Sequence, residues 1–197
     1  MLRPAQLLVR HLRYGPASWS ERASPRKTAA LHALFRGVNG WLRASGVTYW
    51  LAYGTLLGWH REKRPLPHDR DIDFGVELGA YARLKAAAPL LPAGFSLHDS
   101  SHRHRGPKLY VVHRGWEADL YFYADEQGQM CSLERSRNPG DTTPFPREFV
   151  HPVQAVPFLD ETTFIPAQPV ALLTHHYRYL GPDAVRDPVT RYFRPRS

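Results

Sequence analysis

Three aspartates, Asp69, Asp71 and Asp73, stand at alternate positions in the stretch "YGTLLGWHREKRPLPHDRDIDFGV" (residues 53–76) of a chain with a formal net charge of +8. Read as a strand, "DIDFGV" puts Asp71 and Asp73 on one face, about 7 Å apart, and turns Ile72, Phe74 and Val76 to the other. Two carboxylates held that close and partly out of water repel each other, and a cation relieves the repulsion. Mg²⁺ or Mn²⁺ suits such a set, because hard cations take oxygen ligands. A third carboxylate from a neighbouring strand would complete it. In "WEADLYFYAD" (116–125), Glu117, Asp119, Tyr121 and Tyr123 alternate with Ala118, Leu120 and Phe122. Asp119 is the candidate third ligand, and Glu117 competes for the role from the same face. Asp69 precedes the strand and is either a further ligand or a turn residue.

The elements that would position these side chains follow from local pattern. Ser24 and Pro25 form a helix start, a capping hydroxyl followed by a residue with no N–H to satisfy. Leu31, Leu34, Phe35, Val38, Trp41 and Leu42 then recur on one helical stripe that Gly46 ends. "VTYWLAY" (47–53) is β-branched and aromatic and reads as a strand. Gly54-Thr55 lies at the junction with a short helix over "TLLGWHREK", where backbone N–H groups and a hydroxyl can cradle a phosphate. "LGAYARLKAAAPLL" reads as a helix. Strands are expected at "FSLHD", "KLYVVH", "EADLYFYA" and "QMCSL", with Cys131 in the core. Residues 136–169 hold seven prolines and read as loop with short extended pieces. "VALLTHHYRYLG" closes the fold as a helix ending at Gly181.

This pattern predicts one α+β domain, a mixed sheet flanked by helices over residues 24–181. A basic arm (1–23) and a basic tail (182–197) flank it. Five Trp, nine Phe and ten Tyr in 197 residues exclude wholesale disorder. The single cysteine excludes an internal disulfide and any multi-cysteine zinc site. The His175-His176 pair and "HRHR" (102–105) lack partners at zinc-ligand spacing. With no apolar run long enough to span a membrane, the expectation is a cytoplasmic protein, or one peripheral at a membrane surface. Residues 69–174 carry fourteen acidic against ten basic side chains, while residues 1–68 carry eleven basic against two acidic. An acidic middle with basic ends suits a metal site surrounded by phosphate-holding groups. It disfavours a stable nucleic-acid partner, since carboxylates repel a phosphate backbone.

Gly54-Thr55, the "DID" strand and Asp119 together resemble the nucleotidyltransferase superfamily. More narrowly, "YGTLLG", Arg61, "HDRDID" and "ADLYFY" resemble the LicD family, which includes bacterial phosphocholine transferases and the eukaryotic fukutin and fukutin-related proteins. The similarity runs over about residues 30–181, with "VPFLDETTFIPAQPVALLTHHYRYLG" resembling the family's closing strand pair and helix. The family usually has Trp where His68 stands and Asp where Arg70 stands. The resemblance implies a nucleotidyltransferase-like fold that moves a phospho-substituent, phosphocholine or an alditol phosphate, from a CDP-linked donor to a glycan or glycoconjugate hydroxyl. It implies Asp71, Asp73 and Asp119 around Mg²⁺, with Asp119 completing the site or accepting the hydroxyl's proton. Gly54 and Thr55 would contact phosphate, and Arg61 and Lys108 would offset its charge. The alternative within the same fold is transfer of a nucleotide to a protein, RNA or small-molecule hydroxyl.

Overall fold

The computed structural model describes residues 24–196, so the predicted arm at 1–23 lies outside the described residues. Ser24 caps helix α1 (Pro25–Ala44), its hydroxyl accepting from the Lys27 N–H at 3.2 Å. The six predicted stripe residues of α1 are all buried. At roughly 1.5–3 kcal/mol for each large apolar side chain removed from water, that stripe dominates what fixes the helix against the sheet. Gly46 follows the helix with φ +61°, the left-handed turn a glycine accepts without strain.

The sheet runs β1 (Tyr49–Leu51), β2 (Asp71–Glu77), β5 (Trp116–Glu126), β4 (Lys108–His113), β3 (Phe95–Asp99) in spatial order. β6 (Gln129–Ser132) pairs with the far end of β5, and β7 (Phe145–Pro146) pairs with β6. The β2–β5 pairing is parallel, and every other pairing in this sheet is antiparallel. Ile72, Phe74, Ala118 and Leu120 are fully buried, and Phe35 of α1 stacks on Phe74 with ring centroids 6.1 Å apart. Gly75 lets Trp50 cross β2 closely, since a Cβ there would stand 2.2 Å from the indole.

The opposite face of the sheet, bearing Asp73, Asp119, Tyr121 and Tyr123, is covered by α2 (Tyr53–Glu62) and α5 (Pro169–Tyr177). Two short pieces, α3 (Tyr81–Ala86) and α4 (Pro139–Thr142), and a hairpin of β8 (Gln154–Phe158) and β9 (Glu161–Ile165) complete this body. The hairpin docks through Phe158 on Phe35 and Phe164 on Tyr49.

Four expectations need correction. The helix predicted across 78–91 is α3 flanked by two 3₁₀ turns, Leu78–Ala80 and Ala88–Leu90. Pro89 cannot donate to the carbonyl four residues back, so the helix stops short of it. The closing helix ends at Tyr177, four residues before Gly181, with Arg178 at φ +69°. Cys131 is half-buried rather than core, because Met130 and Ser132, its neighbours on β6, take the inward positions. Residues 184–195, read as tail, form a hairpin of β10 (Ala184–Arg186) and β11 (Phe193–Pro195), packed on the body through Tyr177–Phe193 and Arg178–Tyr192 contacts. Strand alternation fails to announce so short a ribbon.

No helix among the described residues is long and apolar enough to cross a membrane.

Candidate active site

Parallel pairing of β2 with β5 sets Asp73 directly opposite Asp119 and Asp71 opposite Glu117. Asp71, Asp73 and Asp119 each offer a carboxylate oxygen, and these atoms lie within 4.8 Å of one another. Oxygens bound to one Mg²⁺ at about 2.1 Å stand at most about 4.2 Å apart, so the set as it stands is only slightly wider than one such ion would require. An all-carboxylate donor set fits Mg²⁺ or Mn²⁺ and does not favour softer metals. Asp69 stands outside this trio. Its carboxylate accepts from the Leu66 N–H at 2.7 Å and so closes the loop leading into β2.

The electrostatics carry the same message. Asp73 is buried, and its carboxyl is held well above the usual carboxylate range, first by burial and then by Asp71 and Asp119. Burial, opposed by the Leu66 N–H and reinforced by Asp71, pushes Asp69 up to about 7. Lys108, itself buried, ion-pairs with Asp119 at 3.0 Å and lies 3.0 Å over the Tyr121 ring centroid. Three carboxylates clustered this closely repel one another, and a divalent cation would relieve that repulsion.

Gly54 is the second residue of α2, and a Cβ on it would stand 3.3 Å from Asp69 Oδ1 and 3.6 Å from Asp73 Oδ2. The first-turn N–H groups of a helix have no intrahelical partner, and here they open beside the carboxylates. Thr55 is buried, with its hydroxyl oxygen accepting the Asp73 N–H at 2.8 Å. It thus clamps α2 to β2, leaving the hydroxyl proton for another partner. The Ala52 N–H donates to Asp73 O at 3.0 Å as a second stitch. Between them Tyr53 adopts φ +44°, a left-handed conformation that costs a non-glycine residue of order 1–3 kcal/mol. Its ring packs on Tyr121 and His176, and its hydroxyl accepts from Tyr123 at 2.9 Å, which holds the strained turn in place.

Arg61 lies at the other end of α2. Its guanidinium donates to the Leu180 and Gly181 carbonyls, so it pins the chain after α5 rather than pointing at the carboxylates. Glu117 and Lys108 line a 260 Å³ cavity on the Asp119 side together with Tyr110, Arg103 and Glu134. Burial, partly offset by Lys108, pushes Glu134 up to about 7. No sequence signal marked Glu134, which sits in irregular chain just beyond β6.

The LicD/FKTN/FKRP nucleotidyltransferase domain model matches residues 46–168, which span α2, the carboxylate strands and the closing hairpin. The chain belongs to the LicD/FKTN/FKRP family. An uncharacterized protein of Rickettsia typhi is 22% identical over 156 residues, 79% of this chain and 48% of that protein. Mouse ribitol 5-phosphate transferase FKRP is 29% identical over 135 residues, 66% of this chain and 27% of its own. Human ribitol-5-phosphate transferase FKTN is 40% identical over 40 residues, 20% of this chain and 9% of its own. This LicD-family chain therefore spans about half or less of the length of these relatives. Among solved structures, it is similar to the antibiotic-resistance factor ANT(2'')-Ia, with TM-score 0.46 and 10% identity over 72% of this chain and 69% of that one. It is also similar to the lincosamide adenylyltransferase LnuA, with TM-score 0.43 and 15% identity over 78% of this chain and 87% of that one.

Proposed function

We propose that this LicD-family domain transfers a substituted phosphate, of the phosphocholine or alditol phosphate type, from a CDP-linked donor to a hydroxyl of a glycan or glycoconjugate. The observation that carries the reading is the convergence of Asp71, Asp73 and Asp119 across two parallel strands, beside the open first turn of α2. FKRP and FKTN, named as ribitol-phosphate transferases, support the choice of transferred group.

Asp71, Asp73 and Asp119 would hold Mg²⁺ or Mn²⁺, which supplies positive charge against the donor's diphosphate and the departing CMP. The chain's own part is positioning, as phosphoryl transfer demands. The N–H groups of α2's first turn face the phosphates, and Gly54 keeps that approach clear of a side chain. Thr55 holds the β2 backbone at Asp73, and Lys108 pairs with Asp119. The acceptor oxygen bonds to the phosphorus bearing the substituent, the P–O bond to CMP breaks, and the hydroxyl proton passes to Asp119 or to solvent.

A thermal-shift screen of CDP conjugates with and without Mg²⁺ tests this. The expected result is stabilisation that requires both conjugate and metal and is absent in Asp71→Asn. If ATP or UTP shifts the protein and no CDP conjugate does, nucleotide transfer replaces this reading.

A further inference from the structure

Two cavities flank the carboxylate trio, and their linings differ in chemistry. The 260 Å³ cavity on the Asp119 side places Glu117, Asp119 and Glu134 against Arg103 and Lys108. The other, about 370 Å³, opens beside Gly54 and reaches out under the β10–β11 hairpin. Arg61, His68, Tyr177, Arg186 and Phe193 line it, and none of the described residues lining it is acidic. Its volume falls within the roughly 300–1,000 Å³ of small-molecule sites.

We propose that this second cavity is the nucleotide subsite, with the C-terminal hairpin as its outer wall. The inference rests on the transferase reading above, and it assigns a ligand-binding role to residues 182–196, which lie beyond the family-matched region.

Three features point to a nucleoside diphosphate. The inner end of the cavity is Gly54 in the first turn of α2, next to Asp69 and Asp73, where a diphosphate can meet both the helix N–H groups and the carboxylate-held cation. The outer end is aromatic and cationic. Phe193 packs edge-on against Tyr177 with centroids 5.6 Å apart, and the Arg186 guanidinium lies 4.8 Å over the Phe193 ring. Rings and a guanidinium plane in that arrangement are surfaces on which a base stacks. Finally, Arg61 donates only to backbone carbonyls and Arg186 to the Asn138 side-chain oxygen, so neither positive charge is cancelled by a carboxylate among the described residues. A cavity of that character attracts an anionic, ring-bearing ligand. The carboxylate-lined cavity repels one and better suits the hydroxyl groups of a neutral acceptor. Arg61 adds a mechanical link, since the helix that begins at the phosphates ends by gripping the segment that leads into the hairpin.

The probe is CDP with Mg²⁺, measured by calorimetric titration on the full chain. Phe193→Leu keeps an apolar contact with Tyr177 but removes the ring, and Phe193→Trp restores a ring. Wild type is expected to bind, Phe193→Leu and Arg186→Ala to bind about tenfold more weakly, and Phe193→Trp to recover most of the loss. The apo melting temperature of each variant separates loss of binding from loss of folding. Should Phe193→Leu and Arg186→Ala bind like wild type while Asp73→Asn does not bind, the hairpin assignment is wrong and the transferase reading stands. Should wild type itself fail to bind CDP with Mg²⁺, both are wrong.

Discussion

Replacing Asp69 by Asn should stabilise the metal-free protein, and only when the pH is high enough to ionise carboxylates. Asp69 is 9% exposed, and burial with Asp71 nearby raises its carboxyl from the ordinary 3.8 to about 7. Its pKa is higher folded than unfolded, so between those values the native state holds the proton that the unfolded chain has lost. Stability therefore falls as pH rises through that window. Roughly three units at about 1.4 kcal/mol each set a ceiling near 4 kcal/mol at pH 8. Asn keeps an oxygen to accept the Leu66 N–H, now at 2.7 Å, but loses the extra strength of a charged acceptor, on the order of 1 kcal/mol. A net gain of about 1–3 kcal/mol remains, which for a chain of this size is roughly 2–12 °C in melting temperature. Differential scanning calorimetry in EDTA at pH 8 and at pH 5 reads it directly. The gain should be largest at pH 8 and fade toward pH 4. A variant less stable than wild type at pH 8, or a gain independent of pH, would refute the idea that this carboxyl is held against its will.

Gly54→Ala tests the approach to the carboxylates. The added Cβ would lie 3.3 Å from Asp69 Oδ1, so the fold should survive with a melting temperature within a few degrees, while Mg²⁺-dependent binding of a CDP conjugate weakens at least tenfold; unchanged binding would count against that approach. His176 tests the floor of the site from the acid side. It is buried, donates to Gly140 O at 2.8 Å, and burial lowers its pKa to about 3. Its depressed pKa means that the stability it contributes is full above the unfolded value near 6.5 and is lost as pH falls toward 3. Its ring resonances in NMR should stay at neutral-form positions from pH 7.5 to 5, and a titration near 6.5 would contradict the packing.

The elements that place the candidate site were legible because they obey short-range rules. The stripe from Leu31 to Leu42, the Ser24-Pro25 start and the alternation in "DIDFGV" and "EADLYFYA" each depend on residues a few positions apart. Alternation also put Asp71 with Asp73 and Asp119 with Tyr121. It did not reveal that β2 and β5 run parallel in a register that pairs Asp73 with Asp119, a long-range fact set by how α1 and the sheet bury their apolar faces. Thr55 carried a local signal, a hydroxyl at a strand-to-helix turn, but its partner, the Asp73 N–H, lies eighteen residues away. Arg61 looked like a phosphate ligand, and the carbonyls it reaches lie about 120 residues on. Glu134 and the β10–β11 hairpin escaped for a related reason. Irregular chain and three-residue strands have no period to read, and the hairpin's place is fixed by contacts with Tyr177 and Asn138.

The proposed site has three like charges, Asp71, Asp73 and Asp119, share one divalent ion. Electron paramagnetic resonance of Mn²⁺ titrated into the protein measures this without any substrate. Saturable binding at one site is expected for wild type, competed by Mg²⁺ and weakened at least tenfold in Asp73→Asn and in Asp119→Asn. Wild-type binding no tighter than that of the two variants would contradict it.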